Sequence, residues 1–141
     1  MSKKDVLERT DVEDIVARFY ETMLKDPIIG YIFTDVVSIN LQHHLPVIVD
    51  FWADALFNER NYAGNPLRKH LDVHQKIPLT PGHFTRWLYL FGKAVDHQHA
   101  GPNTESMKQR AEMVAKSISA SIAQAKRSDM ELVLRQEAPK D

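Results

Sequence analysis

Gln42-His43-His44-Leu45-Pro46-Val47-Ile48-Val49-Asp50-Phe51-Trp52-Ala53-Asp54-Ala55-Leu56-Phe57 carries the strongest periodicity in the chain. Ile48, Phe51, Trp52, Ala55 and Leu56 recur at i, i+3, i+4, i+7 and i+8, which places them on one face of an α-helix. His44 stands four residues before Ile48, hence on the same face and one turn nearer the N-terminus. Proline is tolerated without cost only in a first helical turn, where its missing N–H has no intrahelical partner anyway. Pro46 therefore predicts a helix entrance at His44, a place from which a side chain can gate access between solvent and interior. The neighbouring His43 is read as exposed.

Upstream, Val12, Ile15, Val16, Phe19 and Met23 define a second amphipathic helix of about four turns. Thr10 with Glu13 fits a capping box at its start, and Asp26-Pro27 ends it, because the residue before proline avoids helical geometry. Tyr20 lies beside the apolar stripe, so its ring is expected inside with its hydroxyl turned to something polar. Ile28, Ile29, Tyr31, Ile32 and Phe33 predict one or two further helical turns ending at Phe33. Thr34 to Asn40 is a connector: Val36, Val37 and Ile39 imitate a strand, but the sequence offers no second strand to pair with it.

Downstream of a polar turn at Asn58 to Gly64, Asn65-Pro66 starts a short helix, Pro66-Leu67-Arg68-Lys69-His70, that brings His70 near its end. Leu71 to Thr80 has no period, and a ten-residue excursion of this kind is expected to cover something. Thr80-Pro81-Gly82-His83 opens a helix with a capping hydroxyl and a proline at its first position. Phe84, Trp87, Leu88, Phe91 and Val95 give that helix its apolar face, and Gly101-Pro102 closes it. Asn103 or Thr104 is expected to cap the last helix, with Glu105 in its first turn and Lys126-Arg127 near its end, matching the helix dipole. Met107, Ala111, Val114, Ile118, Ile122 and Ala125 form its stripe. With helices throughout, the prediction is one all-α domain over residues 1–141, with flexible ends at about 1–9 and 129–141.

The bulk composition narrows the function. A chain of 141 residues and 16.2 kDa fits one domain with an ample core. Zero cysteines exclude disulfides, thiolate metal sites, iron–sulfur clusters and covalent haem attachment. The N-terminus lacks the apolar run of a signal peptide and no window has the length of a membrane span, so a soluble, cytoplasmic protein is expected. A net charge of -1 offers no global field for nucleic acid or anionic membrane, and neither is expected as a partner.

Among the seven histidines, His70 stands out by its place on a short helix. A neutral imidazole so held is the usual way a protein grips haem iron from one side. His44 and Tyr20 are expected on or beside buried faces. Burying such polar groups without partners costs about 1 to 3 kcal/mol each, and a porphyrin with a bound ligand would satisfy them. The competing reading is a cofactor-free helical interaction or regulatory module whose aromatics are only core.

Taken in order, Phe19-Tyr20, Asp26-Pro27-Ile28-Ile29-Gly30-Tyr31-Ile32-Phe33, His44-Leu45-Pro46 with Phe51-Trp52, Tyr62-Ala63-Gly64-Asn65-Pro66, His70 and His83-Phe84-Thr85-Arg86-Trp87-Leu88-Tyr89-Leu90-Phe91 resemble the truncated haemoglobins of group III over roughly residues 10 to 125. Each motif is weak alone; the ordered set is specific. The resemblance implies a two-over-two helical sandwich around haem b, iron protoporphyrin IX. It implies His70 as proximal iron ligand, Phe33 as ring-packing phenylalanine and His44 as distal gate. Tyr20 and Trp87 would be the distal donors, and Ile48 and Trp52 would line the pocket. Arg68 and His74 are candidates for a haem propionate, with solvated surface as the competing reading for each. Two features depart from the pattern: Leu41 replaces an expected tryptophan, and the N-terminal helix is nearly missing. His83, the rival proximal ligand, is read as a capping or exposed residue.

The same resemblance implies a protein that binds dioxygen, nitric oxide or CO. Several distal donors slow ligand release, which points to redox or detoxification chemistry on nitric oxide or peroxide rather than oxygen transport. A dioxygenase or peroxidase-like activity of that kind would draw electrons from a reductase partner. A gas sensor is disfavoured, since the sequence holds no second domain to signal through.

Overall fold

Val12, Ile15, Val16, Phe19 and Met23 are all buried, and the helix that carries them, α1, runs Arg9–Leu24. The computed structural model describes residues 3–36, 40–64 and 79–137, with side chains as far as residue 124 other than those of 35 and 36. After α1 come a π-helical turn at Ile32–Val36, then α2 at Leu41–Phe57, α3 at Pro81–Asp96 and α4 at Pro102–Glu137. Among the described residues there is no strand, only an isolated bridge between Lys4 and His99. α1 packs on α2, α3 on α4, and α1 meets α3 between the pairs, giving the expected all-α, two-over-two sandwich. Phe91 and Val95 of α3 and Met107 and Ala111 of α4 complete the core around α1. Each large apolar side chain so buried contributes roughly 1.5–3 kcal/mol.

Several helix ends differ from expectation, each for a local reason. Glu8, not Thr10, is the N-cap of α1, and Asp11 closes the capping box. Asp11 Oδ2 accepts the backbone N–H groups of Leu7 and Glu8, 3.0 Å each, which draws the chain before the helix onto its first turn. α2 starts at Leu41, capped by the Asn40 side chain, which accepts from the Gln42 N–H. Pro46 is therefore in the second turn, where it denies the Gln42 carbonyl its helical partner. The turn expected to end at Phe33 continues to Val36 as a π-helix. α4 runs past Lys126-Arg127 to Glu137, so that pair is not at its end.

Asn103 and Thr104, expected to cap α4, lie inside its first turn, and the cap comes from outside the helix. Asp5 accepts the backbone N–H of Asn103 and Thr104 at 3.0 and 2.9 Å and the Thr104 hydroxyl at 2.8 Å. Where the sequence suggests a loose arm, Val6 is fully buried and the Lys4 carbonyl accepts from Ala100 N–H. Gly101 makes this approach feasible: its φ is 144°, and a Cβ there would come within 2.5 Å of Asp5 Cγ.

The buried face of α2 is also rotated from the predicted stripe. Val49, Trp52 and Ala53 are buried, whereas Ile48, Phe51, Ala55 and Leu56 are half-buried. Val49 and Ala53 occupy the contact with the neighbouring helices, and the Ile48 side of α2 is turned partly away from it. On α4 a similar shift buries Ala115 and leaves Val114 half-buried.

Candidate functional site

Tyr20 stands one position past Phe19 on α1, and this offset carries its ring to the edge of the core, toward α2. The Tyr20 hydroxyl and His44 Nε2 are 2.6 Å apart, and their rings meet edge to face with centroids 5.1 Å apart. Burial pushes the Tyr20 hydroxyl pKa well above its ordinary value, so the group stays protonated. His44 is half-buried and turned inward at the fourth position of α2, where its own N–H reaches the Asn40 carbonyl at 2.9 Å. The buried hydroxyl and the half-buried imidazole are thus hydrogen-bonded to each other. Their desolvation alone does not demand a ligand, contrary to the expectation from sequence.

An aromatic chain continues from this pair into the core. Phe19 meets Tyr20, Trp87 and Phe91 edge-on at 5.3, 5.9 and 5.4 Å. Phe91 stacks between Trp87 and Trp52, at 5.4 and 5.0 Å. Trp52 is buried; Phe33, Ile48 and Trp87 are half-buried. Phe33, Leu41, Leu45, Ile48, Leu79 and Trp87 all pack against the core without being enclosed by it. These half-buried apolar side chains come from the π-helical turn, α2, α3 and the residue before the N-cap of α3.

The structure brings Tyr20 and His44 together and joins Trp52 and Trp87 through Phe91. His70, Arg68 and His74 lie outside the described residues. Among the described residues no group of three or more His, Cys, Asp or Glu is placed to hold a metal ion. His83 is accounted for: its Nδ1 accepts the Thr80 backbone N–H at 3.1 Å, and its own N–H donates to the Thr80 hydroxyl at 3.4 Å. It is a capping residue of α3.

Sequence reasoning missed the ion pair between Asp26 and Arg86. Asp26 Oδ1 accepts Arg86 Nε and Nη2 at 2.9 and 2.6 Å. Its Oδ2 accepts the backbone N–H groups of Ile28 and Ile29, 3.0 Å each. The Arg86 guanidinium, helped by these N–H donors, holds the carboxyl below its ordinary range. An aspartate just after a helix and before proline is a signal for such a turn. Its arginine partner, 60 residues away, leaves no local sign.

A family model for bacterial-like globins matches residues 7–122. The chain belongs to that family, in its group III truncated branch. The group 3 truncated haemoglobin of Campylobacter jejuni subsp. jejuni is 30% identical to this globin over 116 residues, covering 80% of this chain and 89% of that protein. The crystal structure of the group III truncated haemoglobin from Campylobacter jejuni superposes with a TM-score of 0.75 at 28% identity, covering 86% of this chain and 95% of the other. Membership implies a haem-binding globin. The donor set of the described residues fits one: a hydroxyl and an imidazole set in an otherwise apolar, aromatic wall suit a flat apolar ring that carries a small polar ligand. No helix among the described residues is long and apolar enough to cross a membrane.

Proposed function

We propose that this globin binds haem b with His70 as the proximal iron ligand. Phe33, Ile48 and Trp52 would pack on the ring, Arg68 and His74 would pair with its propionates, and the Tyr20–His44 side would face the bound ligand. The observation that carries the reading is the Tyr20–His44 contact of 2.6 Å at the edge of an aromatic core whose Phe33, Ile48 and Trp87 are only half-buried. Haem would supply an iron site for dioxygen, nitric oxide or CO. The chain supplies the rest. Tyr20, kept protonated by burial, offers an O–H; Trp87 offers an indole N–H; His44, held inward by Tyr20, stands where a ligand would enter.

Donors in a low-dielectric pocket slow ligand release, which favours chemistry on the ligand over its delivery. Nitric oxide and dioxygen combine to nitrate on uptake of one electron, and a cytoplasmic reductase partner would supply it; peroxide reduction is the alternative reaction of the same site. The test is the absorption spectrum of the purified protein in its ferric, ferrous and CO-bound forms. An intense Soret band that shifts on CO addition is expected. A colourless chain that stays colourless with added haem would make the aromatics core alone and leave the cofactor-free module as the reading.

A further inference from the structure

Three elements of the distal side meet at one carboxylate. Asp26 follows α1, the helix of Tyr20, by two residues. Its Oδ2 takes the backbone N–H groups of Ile28 and Ile29 and so fixes the start of the segment that leads to Phe33. Its Oδ1 takes two N–H groups of Arg86, the residue that precedes Trp87 on α3. The Asp26 side chain is 2% exposed and that of Arg86 30%, so the pair is shielded on the carboxylate side.

Among the described residues the ring contacts of Trp87 are edge-on to Phe19 and stacked on Phe91, and α3 is otherwise seated by its buried Leu90, Phe91, Ala94 and Val95. Ring contacts are short-ranged but weakly directional, and a stacked pair can slide while keeping most of its attraction. A guanidinium that gives two N–H groups to one oxygen is directional. Rotation of α3 about its axis, the motion that would swing Trp87, breaks both bonds at once. A shielded ion pair is a weak source of stability, because desolvation offsets much of its attraction, but it discriminates strongly between arrangements that keep it and those that break it.

We propose that the Asp26–Arg86 pair is a positioning device that sets the rotation of α3, and with it the direction in which the Trp87 indole N–H is presented to the distal side. The inference rests on the reading of Trp87 as a distal donor. Asp26 and Arg86 act through Trp87 and touch no ligand themselves.

The test compares Arg86→Lys and Arg86→Met in the full chain, loaded with haem and CO. The chain has two tryptophans, so the two indole N–H resonances are assigned by the loss of one in Trp87→Phe. The expected result is that the Trp87 resonance shifts or broadens in Arg86→Met, less so in Arg86→Lys, while that of Trp52 holds. Oxygen dissociation should rise roughly three- to tenfold in Arg86→Met, the loss of about one hydrogen bond, and Arg86→Met should add nothing in a Trp87→Phe background. An unmoved Trp87 resonance in both Arg86 variants, with only thermal stability lowered, would overturn the proposal. If Trp87 moves but Trp87→Phe leaves oxygen release unchanged, positioning stands and the donor reading of Trp87 falls. If Arg86→Met does not fold, Arg86→Lys, which keeps the charge but not the fork, is judged by the same resonance. Should the chain carry no haem, the resonances are read on the colourless protein: a shifted Trp87 signal supports positioning, and an unmoved one overturns it.

Discussion

Tyr20 and His44 share one hydrogen bond of 2.6 Å, and which of them donates decides what each can offer a ligand. If His44 Nε2 carries the proton, Tyr20 keeps its own for the ligand; if Tyr20 donates, a ligand must compete with the imidazole for it. Replacing Tyr20 or Trp87 by Phe should speed oxygen dissociation roughly three- to tenfold, for about 0.5 to 1.5 kcal/mol per lost bond. CO, which is less polar, should respond less; stopped-flow release from both variants checks this, and rates equal to wild type would make the two residues packing groups. His44→Ala should change CO association more than dissociation. Because Tyr20 holds His44 inward, Tyr20→Phe should disturb CO association too, a coupling that flash photolysis would detect. At Asp26 the lowered pKa sets a pH dependence. A carboxyl whose folded pKa lies below its ordinary 3.8 contributes stability that is present above that value and is lost as pH falls through the folded one. Arg86→Met should thus be less stable than wild type in urea at neutral pH, with the gap shrinking below about pH 3.8; a gap independent of pH would remove Arg86 as the cause of the shift.

Helices here are fastened by residues that do not belong to them. Asp26 holds α3 from the end of α1, and Asp5 caps α4 from the chain ahead of α1. Burial would push the Asp5 carboxyl up, but hydrogen bonds from Asn103 and Thr104 outweigh it and leave the pKa lowered, as expected of a carboxylate at a helix N-terminus. Removing such a cap costs about 0.5–2 kcal/mol, so Asp5→Ala should destabilise the protein by that amount in chemical denaturation. Gly101→Ala should act on the same contact, since its Cβ would collide with Asp5 and its φ of 144° disfavours any side chain. The double variant should therefore lose less than the sum of the two single losses. Full additivity would mean that Gly101 serves the turn and not the cap. Pro46 contrasts with these caps. It lies inside α2 two residues after His44, and the helix runs continuously through it from Leu41 to Phe57 with its start capped by Asn40.

At the scale of the molecule, the sequence was legible where a rule is local. The stripe of α1 and the Thr80-Pro81 opening of α3 follow from spacing and dihedral preference, whereas Gly101-Pro102, read as the close of α3, instead opens α4, because α3 already ends at Asp96. Contacts between distant residues left no such trace: Asp5 on Thr104, Asp26 on Arg86 and Tyr20 on His44 emerge only when the helices pack. The rotation of α2 was hidden for a related reason, since an apolar residue that faces a cofactor and one that faces a helix have the same periodicity. That ambiguity supplies the last prediction. Phe33, Ile48 and Trp87 are half-buried, so a ligand that covers them and binds only the folded chain must raise the unfolding temperature. The shift follows the excess of haem over its dissociation constant, about 2.7 kcal/mol at a hundredfold excess. His70→Ala should lose the Soret band and this stabilisation together, melting where haem-free wild type melts while keeping its helical circular dichroism. His83→Ala should keep the band and lose only a cap, about 0.5–2 kcal/mol, because its Nδ1 is committed to the Thr80 N–H. The opposite pattern, haem lost with His83 and a normal five-coordinate ferrous spectrum kept without His70, would reverse the assignment.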